Sequence, residues 1–188
     1  MTVDNEQVVR TAYQVAEDKD LDGWVAAFTD DGTFADESIG VTYRGPDGLP
    51  EQPENDARAF PDTHRELYQL YVNGNIVVVQ LALQGTHLGP LHLPAGTLPP
   101  TGKRMDAPCC DVFELADGKI KRFDCYPSGS VILTQLGVLR NLDAALQHST
   151  ASTKLLGPRP RACFWPPRCP DRCRSCPVRW RALSSPFT

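Results

Sequence analysis

Asn73-Gly74 stands between two long segments of alternating character, "HRELYQLYV" and "IVVVQLALQGTH". An Asn-Gly pair flanked by such runs is the strongest short-range signal for a β-hairpin. The centre of the chain is therefore committed to antiparallel sheet. A Pro-rich connection, "LGPLHLPAGTLPPTG", leads to a second strand pair, "KRMDAPCCDVFEL" and "KIKRFDCY", which meets at Asp117-Gly118. Ahead of the sheet, "DNEQVVRTAYQVAEDKD" reads as a helix capped by Asp4 or Asn5, with Val9, Tyr13 and Ala16 on one face. "DLDGWVAAFTDDG" reads as a second helix with the stripe Leu21, Trp24, Val25 and Phe28, ended by Gly32. "TFADES" is a short strand, and "PENDARAF" a brief helix with Pro53 in its first turn and Pro61 beyond its end. "SVILTQLGVLRNLDAALQ" closes the pattern as an amphipathic helix with Ile132, Leu136, Leu139, Leu142 and Leu146 inward. The order α-α-β-α-β-β-β-β-α describes an α+β fold, a strongly bent antiparallel sheet wrapped around helices on its concave side. Such a sheet leaves a conical, mostly apolar cavity.

Charge divides the chain. Residues 1–147 carry 11 Lys+Arg and 22 Asp+Glu, a balance of −11; residues 148–188 carry 8 and 1, a balance of +7, and the two sum to the formal −4 of the whole. An acidic body argues against nucleic acid as a partner. No apolar run approaches the ~18 residues of a membrane helix, and the acidic start has no signal-peptide core, so a cytoplasmic protein is expected. The tail from 148 holds Cys163, Cys169, Cys173 and Cys176 and has no helical or alternating period. A zinc site or a basic nucleic-acid-binding arm are two readings of it. The reading adopted is a disordered segment or frameshift product, since Pro, Arg, Cys, Trp and Ser are what a GC-rich gene yields out of frame. The expected organisation is one domain over 1–147 and a tail over 148–188.

One phase of "RMDAPCCDVFEL" runs Met105, Ala107, Cys109, Asp111, Phe113 and Leu115, apolar except for Asp111. An ionised carboxylate does not stay unpartnered in such a place; it is paired, hydrogen-bonded or protonated. Asp36 shares the inward phase of Phe34, and Tyr13 lies on the apolar face of the first helix. Two carboxylates and a phenol around one apolar space push their pKa values apart, so that one acts as base while another stays a neutral donor. The alternative at each Asp is backbone bonding or pairing with Arg122, Arg65 or His87. Trp24, Phe34, Cys109 and Phe113 are the expected pocket lining. His87 is a general-acid candidate at the pocket mouth or a capped strand end, and His64 opens a strand at the surface. Four scattered His give no metal spacing, so no metal is expected. Adjacent Cys109 and Cys110 point to opposite faces and cannot pair. "GPDGLP" is no nucleotide loop, and no G-x-S-x-G elbow occurs.

The ordered set "AFPDTHREL", "GTHLGPL", "PPTGKRM", "DVFELADGKI" and "QLGV" resembles the SnoaL-like polyketide cyclase and ester cyclase proteins of the nuclear transport factor 2-like superfamily, which also includes ketosteroid isomerases and limonene epoxide hydrolases. The resemblance spans roughly residues 5–146. It implies a cone-shaped α+β barrel, a homodimer, and a cofactor-free pocket for a small hydrophobic molecule. The cyclases often carry Glu and Trp after the Asp-Gly turn and an Asp beyond. Here the stretch reads "KIKRFDCYPSGS", with Ser128 near the later position and Asp124 as the acidic substitute, beside Arg122. "TAYQVAEDKDLDGWVAAFTDDGTFADESIG" resembles the opening of ketosteroid isomerases and places Tyr13 and Asp36 on their oxyanion tyrosine and base. Asp111 falls on their oxyanion aspartic acid. The implied chemistry is enolisation of a carbonyl compound, leading to aldol cyclisation or double-bond isomerisation. A non-catalytic binding module and an epoxide hydrolase built on Arg122 and Asp124 are the competing readings.

Overall fold

A computed structural model describes residues 4–139. Asp4 caps the first helix, α1 (Asn5–Glu17), its carboxylate accepting from the Glu6 and Gln7 amides. The i, i+3, i+4, i+7 series Val9, Ala12, Tyr13 and Ala16 forms the buried face. Helix α2 (Leu21–Ala26) is shorter than the sequence reading: Trp24 alone is buried on it, and Phe28 belongs to the next element. Strand β1 (Phe28–Asp36) therefore starts well before "TFADES" and contains Gly32, which ends no helix. A Cβ at Gly32 would press on the Thr29 carbonyl at 2.8 Å, so a bulge-forming close approach is its reason.

Strand β2 (Val41–Arg44) and the single turn α3 (Gly45–Gly48) were not legible in the sequence; helix α4 (Glu51–Ala59) follows. The hairpin of β3 (His64–Asn73) and β4 (Ile76–Thr86) is present, with its turn one residue later than expected. Asn73 pairs with Ile76, so Gly74 and Asn75 span the turn, with Gly74 at φ 61°, the first-position glycine of a type II′ connection. At the other hairpin Asp117 and Gly118 both take positive φ, 51° and 77°, the type I′ requirement. The small ribbon β5 (Leu91–Leu93) and β6 (Gly96–Leu98) occupies the Pro-rich connection. Strands β7 (Arg104–Ala116) and β8 (Lys119–Pro127) and helix α5 (Gly129–Gln135) follow. Gly137, at φ 75°, lies just past the end of α5, so the single helix expected to run to residue 147 is already ended over residues 136–139, and the rest of that expectation, from 140 onward, falls outside the described residues.

The six-stranded sheet has the order β2-β1-β8-β7-β4-β3. It is mixed, not purely antiparallel: β1 runs parallel to β8, which the long stretch of chain between these neighbours allows. One inward row, Phe34, Phe123, Phe113 and Val77, crosses four strands in register. Phe123 stacks on Phe34 at 4.6 Å and on Phe113 at 4.2 Å, and Trp24 meets it edge-on at 6.2 Å. Phe123→Ala is expected to cost about 3–5 kcal/mol of stability, read as a lower urea midpoint.

The peptide stretches behind the family resemblance knit the far end of the sheet. Asp62 of "AFPDTHREL" accepts from the Thr86 amide and hydroxyl at 2.6 and 2.7 Å. His87 exchanges backbone bonds with Lys103 and Gly102, and its Nδ1 accepts from the Thr101 amide at 3.2 Å. A Cβ at Gly89 would collide with the Arg58 carbonyl.

Candidate functional site

The inward row next to the phenylalanines carries the chemistry. Asp36 on β1, Cys125 on β8 and Asp111 on β7 are register partners across three adjacent strands, and all three line one cavity. Two strand spacings of about 4.8 Å put the two aspartate backbones roughly 10 Å apart. The cavity has a volume of about 410 Å³, and Trp24, Phe34, Phe60, Leu83, Leu91 and Met105 form much of its wall.

Asp111 is 1% exposed. Its Oδ2 accepts the Tyr13 hydroxyl at 2.7 Å, and its Oδ1 accepts from the Cys109 thiol at 3.2 Å. Burial raises its pKa above the usual carboxylate range, against the pull of these hydrogen bonds and of the Arg65 charge. Burial, with Asp111 beside it, also lifts Tyr13 well above the ordinary phenol. Tyr13 packs edge-on to Phe113 at 5.6 Å and does not form part of the cavity wall; it stands behind Asp111. Asp36 is 7% exposed, and its Oδ1 accepts from the Ser38 amide at 3.0 Å and the Ser38 hydroxyl at 2.7 Å. Its Oδ2 takes no hydrogen bond among the described residues, which leaves one carboxylate oxygen available to a ligand.

The other sequence candidates lie elsewhere. Of the expected lining, Trp24 and Phe34 face the cavity, whereas Cys109 and Phe113 sit in the core beside it. Alternation on β8 turns Phe123 and Cys125 inward and Arg122 and Asp124 outward. Arg122 grips Asp124 on that outer face, Nε to Oδ1 at 2.9 Å and Nη2 to Oδ2 at 2.6 Å. This pair is spent on itself and reaches no cavity atom, so the geometry that epoxide hydrolysis would ask of it is not formed. His87 is fully buried against Phe60, at 5.2 Å between rings, and is absent from the cavity wall. Burial lowers its pKa, and its Nε2 has no partner among the described residues.

The sequence reading missed Asp56 and Tyr43. Both face the cavity, Asp56 from α4, where Gln52 donates to its Oδ2 at 2.9 Å. Burial raises Asp56 to about 6 and Tyr43 to about 12. The i, i+4 spacing of Gln52 and Asp56 was visible, but nothing local says which face of a polar nine-residue helix turns inward. A carboxyl raised in the native state binds more protons folded than unfolded, so Asp56 makes stability fall as pH rises from 3.8 towards about 6. Asp56→Asn is expected to flatten that slope in denaturant melts across this window.

The donor atoms of Cys109, Asp111 and Cys125 lie within 4.8 Å of one another, with the two sulfurs 3.6 Å apart. By spacing alone they could meet a metal ion, but the hydrogen bond between the thiols and burial together leave both thiols raised, and the group is already joined by its own hydrogen bonds; strand register, not local sequence, brings it together.

Residues 9–123 match the SnoaL-like domain family. The chain belongs to that family. No curated protein matches it in sequence. A candidate SnoaL-like polyketide cyclase from Jannaschia sp. CCS1 is 22% identical, with a TM-score of 0.63 over 70% of this chain and 90% of that one. A ketosteroid isomerase-like protein from Catenulispora acidiphila, solved with trimethylamine, is 19% identical at a TM-score of 0.60, covering 70% and 92%. IdmH from Streptomyces antibioticus, a candidate polyketide cyclase, is 19% identical at 0.60, covering 71% and 99%. At these identities the solved structures establish the fold, and this SnoaL-like domain is a cone-shaped α+β protein of the nuclear transport factor 2 and ketosteroid isomerase type. Among the described residues no helix is long and apolar enough to cross a membrane.

Proposed function

We propose that this SnoaL-like domain binds a small hydrophobic carbonyl compound and enolises it by general acid/base chemistry from its own side chains. The observation that carries the reading is Asp111: a buried carboxyl facing an apolar cavity, with its pKa raised and a phenol hydrogen-bonded behind it. In its neutral form Asp111 donates to the substrate oxygen, where negative charge develops. Tyr13 orients Asp111 and is the second donor if the substrate oxygen enters between them. Asp36, with a free Oδ2, takes the proton α to the carbonyl. The resulting enolate serves aldol closure and double-bond migration alike. α-Proton exchange in an enolisable ketone, followed in deuterated water, tests the reading.

A second reading, a non-catalytic binding module, is favoured by a different observation. Both aspartates already accept hydrogen bonds from protein groups, Asp111 from Tyr13 and Cys109 and Asp36 from Ser38. Ligand binding without α-proton exchange is its signature.

The proposal includes a homodimer formed through the outer face of the sheet. There Val78 and Val112 share one row with Asp124, and Cys110 and Tyr126 share the next with Gln80, a face of mixed character on which Tyr126 is 46% exposed. Val112→Asp is expected to convert the native species from dimer to monomer in sedimentation velocity; a native monomer sinks this part.

A further inference from the structure

Arg65, on β3, forms part of the wall of the same cavity. Its backbone amide donates to Glu17 at 2.6 Å, and its guanidinium carbon stands 6.0 Å from the centre of the Tyr13 ring. The buried Nη1 has no hydrogen-bond partner among the described residues, and no ion pair among them includes Arg65. Arg65 is half-buried as a residue, but a guanidinium is always charged and carries its donors in a planar fork, so a buried Nη1 without a partner is costly. Leu83, its cross-strand partner, and Phe60, Leu91 and Met105 make much of the wall shared with Arg65 apolar.

We infer that Arg65 is an anion receptor, and that the ligand of this cavity is a hydrophobic molecule bearing a planar two-oxygen anion, a carboxylate or the enolate of a 1,3-dicarbonyl. The fork of a guanidinium matches two such oxygens, and the bond is charge-assisted. Asp56 and Asp111 share the cavity wall with Arg65 and feel its charge, yet neither forms an ion pair or hydrogen bond with it among the described residues, which leaves the fork open to a ligand. The inference rests on reading the cavity as a ligand site and not on enolisation.

The test uses the full chain and three probes of one shape: 2-naphthoate, its methyl ester and 2-naphthol. Native protein is expected to bind naphthoate at least about tenfold more tightly than the ester, as a charge-assisted bond implies. Arg65→Met is expected to erase that preference while keeping ester affinity, and Arg65→Lys to retain part of it. Equal affinity for acid and ester in native protein overturns the receptor, with no variant needed. If naphthol binding still depends on Asp111 in that case, the enolisation reading survives alone. A naphthoate preference without Asp111-dependent naphthol binding leaves the receptor and removes the oxyanion site. No binding of any probe overturns both.

Discussion

Asp111→Ala is expected to lose roughly ten- to a hundredfold in affinity for a fluorescent naphthol, together with the emission shift that marks bound naphtholate. The size follows from one charge-assisted hydrogen bond made in a site with little water. The expected strength rests on the shift of Asp111 towards its protonated form: it is 1% exposed, and burial outweighs the hydrogen bonds from Tyr13 and the thiols. An ionised Asp111 would repel a naphtholate, so the sign of the effect reports its protonation state. Tyr13→Phe should weaken binding less than Asp111→Ala, since the phenol stands behind the carboxyl. Binding indifferent to Asp111→Ala would make this carboxyl a structural group.

The second large effect is kinetic. Asp36→Asn is expected to slow α-proton exchange by about 100- to 10,000-fold, the usual worth of a positioned general base, while ligand affinity holds. The amide keeps the size of the side chain and its hydrogen bonding to Ser38, so the fold is not at issue. Exchange at the native rate in Asp36→Asn would refute Asp36 as the base. Absence of exchange in native protein that nevertheless binds the ketone would favour the binding module.

The periodicity of the sequence by itself determined the α+β class, the long strands, the inward phases and the turn residues, because side-chain alternation and positive-φ glycines are local properties. Phe34, Asp36, Phe113 and Asp111 all lie on the side of the sheet that their two-residue phase requires. The same rule, applied to β8, turns Asp124 and Arg122 away from the cavity, and there the family pattern had drawn attention to the wrong face. The stretches that carried the family resemblance proved mainly structural, with Asp62, Thr86, His87 and Thr101 joining the strand end to its loops. Tertiary structure alone decided the rest. The parallel pairing of β1 with β8 brings Asp36 and Asp111, far apart in the sequence, to either side of Cys125. The rotation of α4 selects Asp56 for the cavity, and the packing of β3 leaves Arg65 with an unpaired buried nitrogen. None of these has a local signature, since each depends on which surfaces meet once the sheet curls.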